Sequence, residues 1–158
     1  MKEKQRALGL LPTFLSMFFV ASNSIDTTDY KARKEQRSLA SILYQWNDNL
    51  RDGKRIGEYL NKRGYSKIAI YGLGELGYQL FKEINNCREI SIVAFIDREE
   101  KHDFEGVKCM MLDESGDIDC DLVIITPLND VLSIRKNLKT VLHDSVDILG
   151  IEDIIFEM

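Results

Sequence analysis

The apolar and polar positions of this chain divide it into a helical opening and a later alternation of buried strands with amphipathic helices. An apolar run, Ala7 to Ala21 (ALGLLPTFLSMFFVA), comes first. It carries Leu11, Phe14, Leu15, Phe18 and Phe19 at helical spacing, with Pro12 suited to a first turn. Residues 24–36 are polar and charged and read as a linker or a solvated helix start. Leu39, Ile42, Leu43, Trp46 and Leu50 then recur at intervals of three and four, which predicts a second amphipathic helix that stops before Asp52-Gly53. A third, short helix is expected over Arg55 to Lys62, with Ile56, Tyr59 and Leu60 inward.

From Lys67 the period changes. KIAIY reads as a buried strand, GLGELG follows at once, and Leu76, Leu80, Phe81 and Ile84 then mark one side of a helix. ISIVAFID is a second strand, GVKCMML a short third, and an acidic loop leads to DLVIIT, a continuous apolar run of the kind found in the middle of a parallel sheet. A helix over Asp130 to Leu142, a strand near Val146 to Leu149 and a terminal turn or helix at Glu152 to Phe156 complete the series. Strands alternating with helices through short connections predict an α/β fold: a single Rossmann-like parallel sheet of four or five strands flanked by helices, with an N-terminal helical extension. The expected organisation is an apolar segment and linker over residues 1–36, the helical extension over 37–64, and a nucleotide-binding domain over 65–158.

The string Gly72-Leu73-Gly74-Glu75-Leu76-Gly77 stands between a strand and a helix, the context in which G-x-G-x-x-G signals a dinucleotide turn. Gly72 permits the tight turn, Gly74 leaves room for a pyrophosphate against the backbone, and Gly77 lets the helix lie close to the strand. The N–H groups and dipole at the helix start supply the anion site. Asp97 ends the second strand twenty residues after Gly77, where the fingerprint expects an acid that accepts hydrogen bonds from ribose hydroxyls. Arg98 beside it is able to pair with a phosphate, which weakens any preference for NAD over a 2'-phosphate. Thr126 and Pro127 are expected at the carboxyl end of the DLVIIT strand, on the same sheet edge as the glycine turn. Glu75 leaves two alternatives open. Its carboxylate either points into the turn and occupies the phosphate site, or points away and leaves the motif functional.

Composition changes this picture in two places. The formal net charge of -5 conceals an asymmetry: residues 30–67 hold ten Lys/Arg against four Asp/Glu, whereas residues 89–158 hold six against seventeen. An acidic half disfavours nucleic acid as its partner. The basic stretch suits an acidic surface or partner, or the chain's own acidic half. Cys87, Cys109 and Cys120 form no C-x-x-C pair, and His102 and His143 stand apart from them, so no metal site is expected and a reducing compartment fits. The Ala7–Ala21 run is shorter than the about 20 residues a spanning helix needs. Its basic start and small polar end match a signal peptide, while its helical stripe suits packing on this domain, on a second copy, or peripherally on a membrane.

The stretch ILYQWNDNLRDGKRIGEYLNKRGYSKIAIYGLGELGYQLFKEI, with the later AFID and VIITPLND, resembles a group of small bacterial proteins and domains tied to surface-polysaccharide and glycosyltransferase gene clusters. These are similar to NAD(P)-binding or nucleotide-sugar-binding Rossmann modules. The likeness spans roughly residues 40–155, and its specific part is IAIYGLGELG. It implies a cytoplasmic role in capsule or surface-glycan synthesis and a nucleotide ligand, NAD or another. It names no reaction, and no catalytic residue is assigned. Three functions follow as expectations: an accessory module that binds a nucleotide or nucleotide-sugar and docks on a glycan-synthesis enzyme or a second copy; an epimerase or oxidoreductase that completes its site with a second subunit; or a scaffold that has lost its ligand.

Overall fold

The computed structural model describes residues 38–99 and 102–158, so the expectations for the apolar run and linker over residues 1–36 lie outside the described residues. Five strands form, each from a run of mainly apolar residues: β1 Lys67–Tyr71, β2 Ser91–Asp97, β3 Cys109–Met111, β4 Leu122–Ile125 and β5 Asp147–Gly150. They make one sheet in the order β3-β2-β1-β4-β5, and every pairing is parallel. The fold is α/β, as the alternation of elements predicts. β1 and β4 lie inside the sheet, and this explains why their sequences do not alternate. Ile68, Ile70, Leu122 and Ile124 face one layer of the core, while Ala69, Tyr71, Val123 and Ile125 face the other. A strand covered on both sides must be apolar at every position.

Helices cover both faces. α1, through residues 38–51, α2 Ile56–Lys62, α3 Glu75–Ile84 and α5 Ile151–Glu157 lie on the first face, where Ile42, Trp46, Ile56, Leu60, Leu80 and Ile154 share one apolar cluster. α4, Val131–Val141, covers the second face through Ile134 and Leu138. The helical residues from Leu39 to Lys62 therefore belong to the same compact unit as the sheet, Leu39–Met158. Asn49, buried on α1, donates from Nδ2 to the Ile155 carbonyl of α5 at 2.8 Å, and Glu83 of α3 accepts from both the Trp46 indole and the Ile56 N–H.

The remaining differences from the sequence pattern are local. The acidic stretch expected as a loop forms a 3-10 helix, Leu112–Asp117, because Glu114 accepts the Met111 N–H and the Ser115 hydroxyl donates back to the Leu112 carbonyl. α5 begins directly after β5, one residue before the expected Glu152, with the Gly150 N–H donating to Asp153. The basic stretch meets the acidic half of its own chain through the Arg63–Glu157 and Lys67–Asp119 ion pairs. Among the described residues no helix is long and apolar enough to cross a membrane.

Candidate functional site

Strand register brings the candidate residues together. Tyr71 of β1 stands opposite Ile96 of β2 on one side and Ile125 of β4 on the other, so the next residues, Asp97, Gly72 and Thr126, leave the sheet side by side. α3 follows β1 to one face and α4 follows β4 to the opposite face. Neighbouring strands whose helices diverge in this way leave a crevice at their carboxyl ends, the usual ligand position in open α/β sheets.

The three glycines differ in what surrounds them. Gly72 has φ +92°, and a side chain there would meet Pro127 Cδ and Cγ at 2.8 Å and the Thr126 hydroxyl at 3.0 Å. Gly77 admits nothing larger, since a Cβ would lie 2.1 Å from the Gly72 carbonyl oxygen. Gly74, the residue before α3, has no atom within 4 Å of a Cβ and an extended backbone that any residue adopts. Gly72 and Gly77 thus serve the protein's own packing, while the space beside Gly74 is open to solvent.

At the head of α3 the backbone N–H groups of Gly74, Glu75, Leu76 and Gly77 make no hydrogen bond among the described residues, and the first helical bond runs from Tyr78 N–H to the Gly74 carbonyl. These are the orphan donors of a helix start. The Glu75 side chain is exposed and makes no hydrogen bond to the turn. Leu76 is buried, with its side chain in the core.

The other expected residues hold the turn in place. Thr126 is 3% exposed, and its hydroxyl lies 3.0 Å from the Tyr71 carbonyl and 2.9 Å from the Gly72 carbonyl. Pro127 packs on Gly72. Asp97 is half-buried: Oδ2 accepts the Leu73 N–H at 3.0 Å, and Oδ1 accepts the Arg98 N–H at 2.7 Å and the Glu99 N–H at 3.4 Å. The Arg98 side chain is exposed and reaches across β1, donating from Nε to the Tyr71 hydroxyl at 3.4 Å. That hydroxyl, followed by the nearby Asp130 and Asp97 carboxylates, raises the Arg98 pKa further, so the guanidinium is a permanent cation at the crevice edge.

Three features were missing from the sequence reading. Tyr71 supplies an anchor for Arg98, and Asp130 holds a left-handed backbone, φ 61°, where α4 begins. Both positions acquire meaning only when β1 and β4 lie side by side. The third is a correction: the absence of a Tyr-x-x-x-Lys pair, expected of this chain and part of the reason no catalytic residue is assigned, does not hold, since the spacing is present from Tyr78 to Lys82 on α3. Short-chain reductases use such a pair to move a proton, whereas here the Lys82 ammonium sits over the Tyr78 ring, 4.2 Å from its centroid, and that ring meets Phe104 edge-on. The same spacing at Tyr30 to Lys34 lies outside the described residues.

A family model described as C2185-like, N-terminal, matches residues 64–149, more than half of the chain. The chain belongs to this family. The C2185-like span opens just before β1 and closes within β5, so it contains the glycine turn, Asp97, Arg98, Thr126 and Pro127 and leaves α1, α2 and α5 outside. No curated protein matches the chain. A groove of about 890 Å³ lies elsewhere, between α1, α2 and α3, lined by Leu43, Trp46, Arg55, Lys82 and Cys87 among others. It shares no residue with the turn.

Proposed function

We propose that this C2185-like chain is a nucleotide-binding module that holds the diphosphate of NAD, another nucleotide or a nucleotide-sugar at the head of α3. One observation carries the reading: four N–H groups, Gly74 to Gly77, without a partner among the described residues, open beside a glycine with free space around it, at the sheet's topological switch point. Backbone donors fixed by a helix need no reorganisation to receive an anion, and the helix dipole adds to their attraction. The exposed Arg98 adds a cation at the same edge. Glu75, free of the turn, favours a competent site over a plugged scaffold.

The resemblance to proteins of surface-polysaccharide clusters extends the proposal to an accessory role in bacterial surface-glycan synthesis, in the cytoplasm, on a second copy or on a glycan-synthesis enzyme. No residue of the crevice is assigned an acid, base or nucleophile role, so binding is the activity proposed.

Thermal-shift titrations against NAD, NADP, UDP and UDP-sugars test the reading. A nucleotide at a hundred times its Kd stabilises a folded protein by about 2.7 kcal/mol, an easily measured shift. Gly74→Val, whose Cβ meets no atom within 4 Å, is expected to leave the unliganded protein folded and to abolish that shift. Failure of every one of these nucleotides at millimolar concentration to move the melting temperature would refute the proposal.

A further inference from the structure

We infer that Asp97 is a positioning residue for the phosphate site, pinning the glycine turn through the Leu73 N–H instead of selecting the ribose of a bound nucleotide. The inference rests on the diphosphate reading above and deepens it.

The turn is strapped from both flanking strands. On the β4 side the Thr126 hydroxyl lies 2.9 Å from the Gly72 carbonyl, and on the β2 side Asp97 Oδ2 accepts from Leu73 at 3.0 Å. Between these straps lies Gly72, whose positive φ turns the chain from the strand toward the helix. Leu73 is the last residue before the open N–H groups, and its side chain packs on the core below. Its backbone orientation therefore sets the direction in which Gly74 to Gly77 point their donors.

The remaining oxygen of Asp97 is occupied as well, by the Arg98 and Glu99 N–H groups. A ribose diol seeking this carboxylate would share it with three backbone donors that already fix both its oxygens on the chain. A carboxylate beside a phosphate site is electrostatically adverse. Such a group is tolerated here by the N–H groups gathered on it, and its service to the loop explains its position. The 2'-hydroxyl of a nucleotide then contributes little to affinity, and a ligand without any sugar still depends on Asp97.

Titrations of the full chain with inorganic pyrophosphate, ADP and 2'-deoxy-ADP, followed by chemical shift, separate the alternatives. Asp97→Ala is expected to weaken all three by the same factor, about tenfold, and to speed exchange of the Leu73 amide proton. Asp97→Asn keeps an acceptor oxygen for Leu73 and is expected to stay within about threefold of the original affinities. The inference is overturned if Asp97→Ala leaves pyrophosphate binding unchanged or stronger, or if it weakens ADP while sparing 2'-deoxy-ADP. If the unaltered protein binds none of the three, the diphosphate reading itself fails, and this inference with it.

Discussion

A single carbonyl oxygen sets the tolerance of the glycine turn. Because a Cβ at position 77 would stand 2.1 Å from the Gly72 oxygen, and that oxygen is backbone, Gly77→Ala is expected to force α3 away from β1 and cost about 3 kcal/mol in denaturant unfolding. Gly74→Ala meets nothing and should stay within about 0.5 kcal/mol of the original stability. Equal losses from the two substitutions would contradict this division of roles. Thr126→Val removes the hydroxyl that serves the Tyr71 and Gly72 carbonyls, with an expected loss of about 1 kcal/mol. The glycine requirement was legible in the sequence because it belongs to one contiguous string. The role of Thr126 was not: its place beneath Gly72 depends on the pairing of Tyr71 with Ile125, which joins segments more than fifty residues apart.

At the scale of elements, Asp121 ties the start of β4 to the start of β1. One of its oxygens accepts the Ser66 N–H, the Ser66 hydroxyl and the Lys67 N–H, at 2.8, 2.9 and 2.8 Å. Hydrogen bonds from the Lys67 and Ser66 amides, with the Ser66 hydroxyl and the Lys67 charge, hold its pKa below the usual 3.8. A depressed folded-state pKa stabilises the protein above the unfolded value, and that contribution fades as the pH falls through the lowered one. The melting temperature of Asp121→Asn should accordingly lie below that of the original chain at pH 7 and approach it as the pH falls below the ordinary aspartate value of 3.8; a gap independent of pH would assign the loss to geometry alone. The elements themselves were readable in order, since hydrophobic period distinguishes the KIAIY strand from the helix after it. Their ends were less so. The 3-10 helix at Leu112–Asp117 arises from the side chains of Glu114 and Ser115 folding back on the backbone, a signal outside apolar periodicity.

For the whole molecule, the decisive feature is one apolar layer shared by α1, α2, α3 and α5 over the sheet. Trp46, the single tryptophan, is 6% exposed and donates to Glu83 of α3, so its fluorescence reports the attachment of α1. Unfolding followed at Trp46 is expected to coincide with unfolding followed by far-ultraviolet circular dichroism, as one cooperative unit requires. An earlier transition at Trp46 would mean that residues 38–62 melt as a separate appendage. The sequence by itself determined the succession of strands and helices, the parallel α/β class and the glycine turn, because each is written in neighbouring residues through period and steric need. Tertiary structure decided that β1 and β4 lie side by side, that Thr126 and Asp97 strap the turn from opposite sides, and that α1 docks beside α5. The physical reason is that strands buried on both faces carry interchangeable apolar patterns, so their order is set by the packing of the whole sheet and its helices, which no single segment encodes.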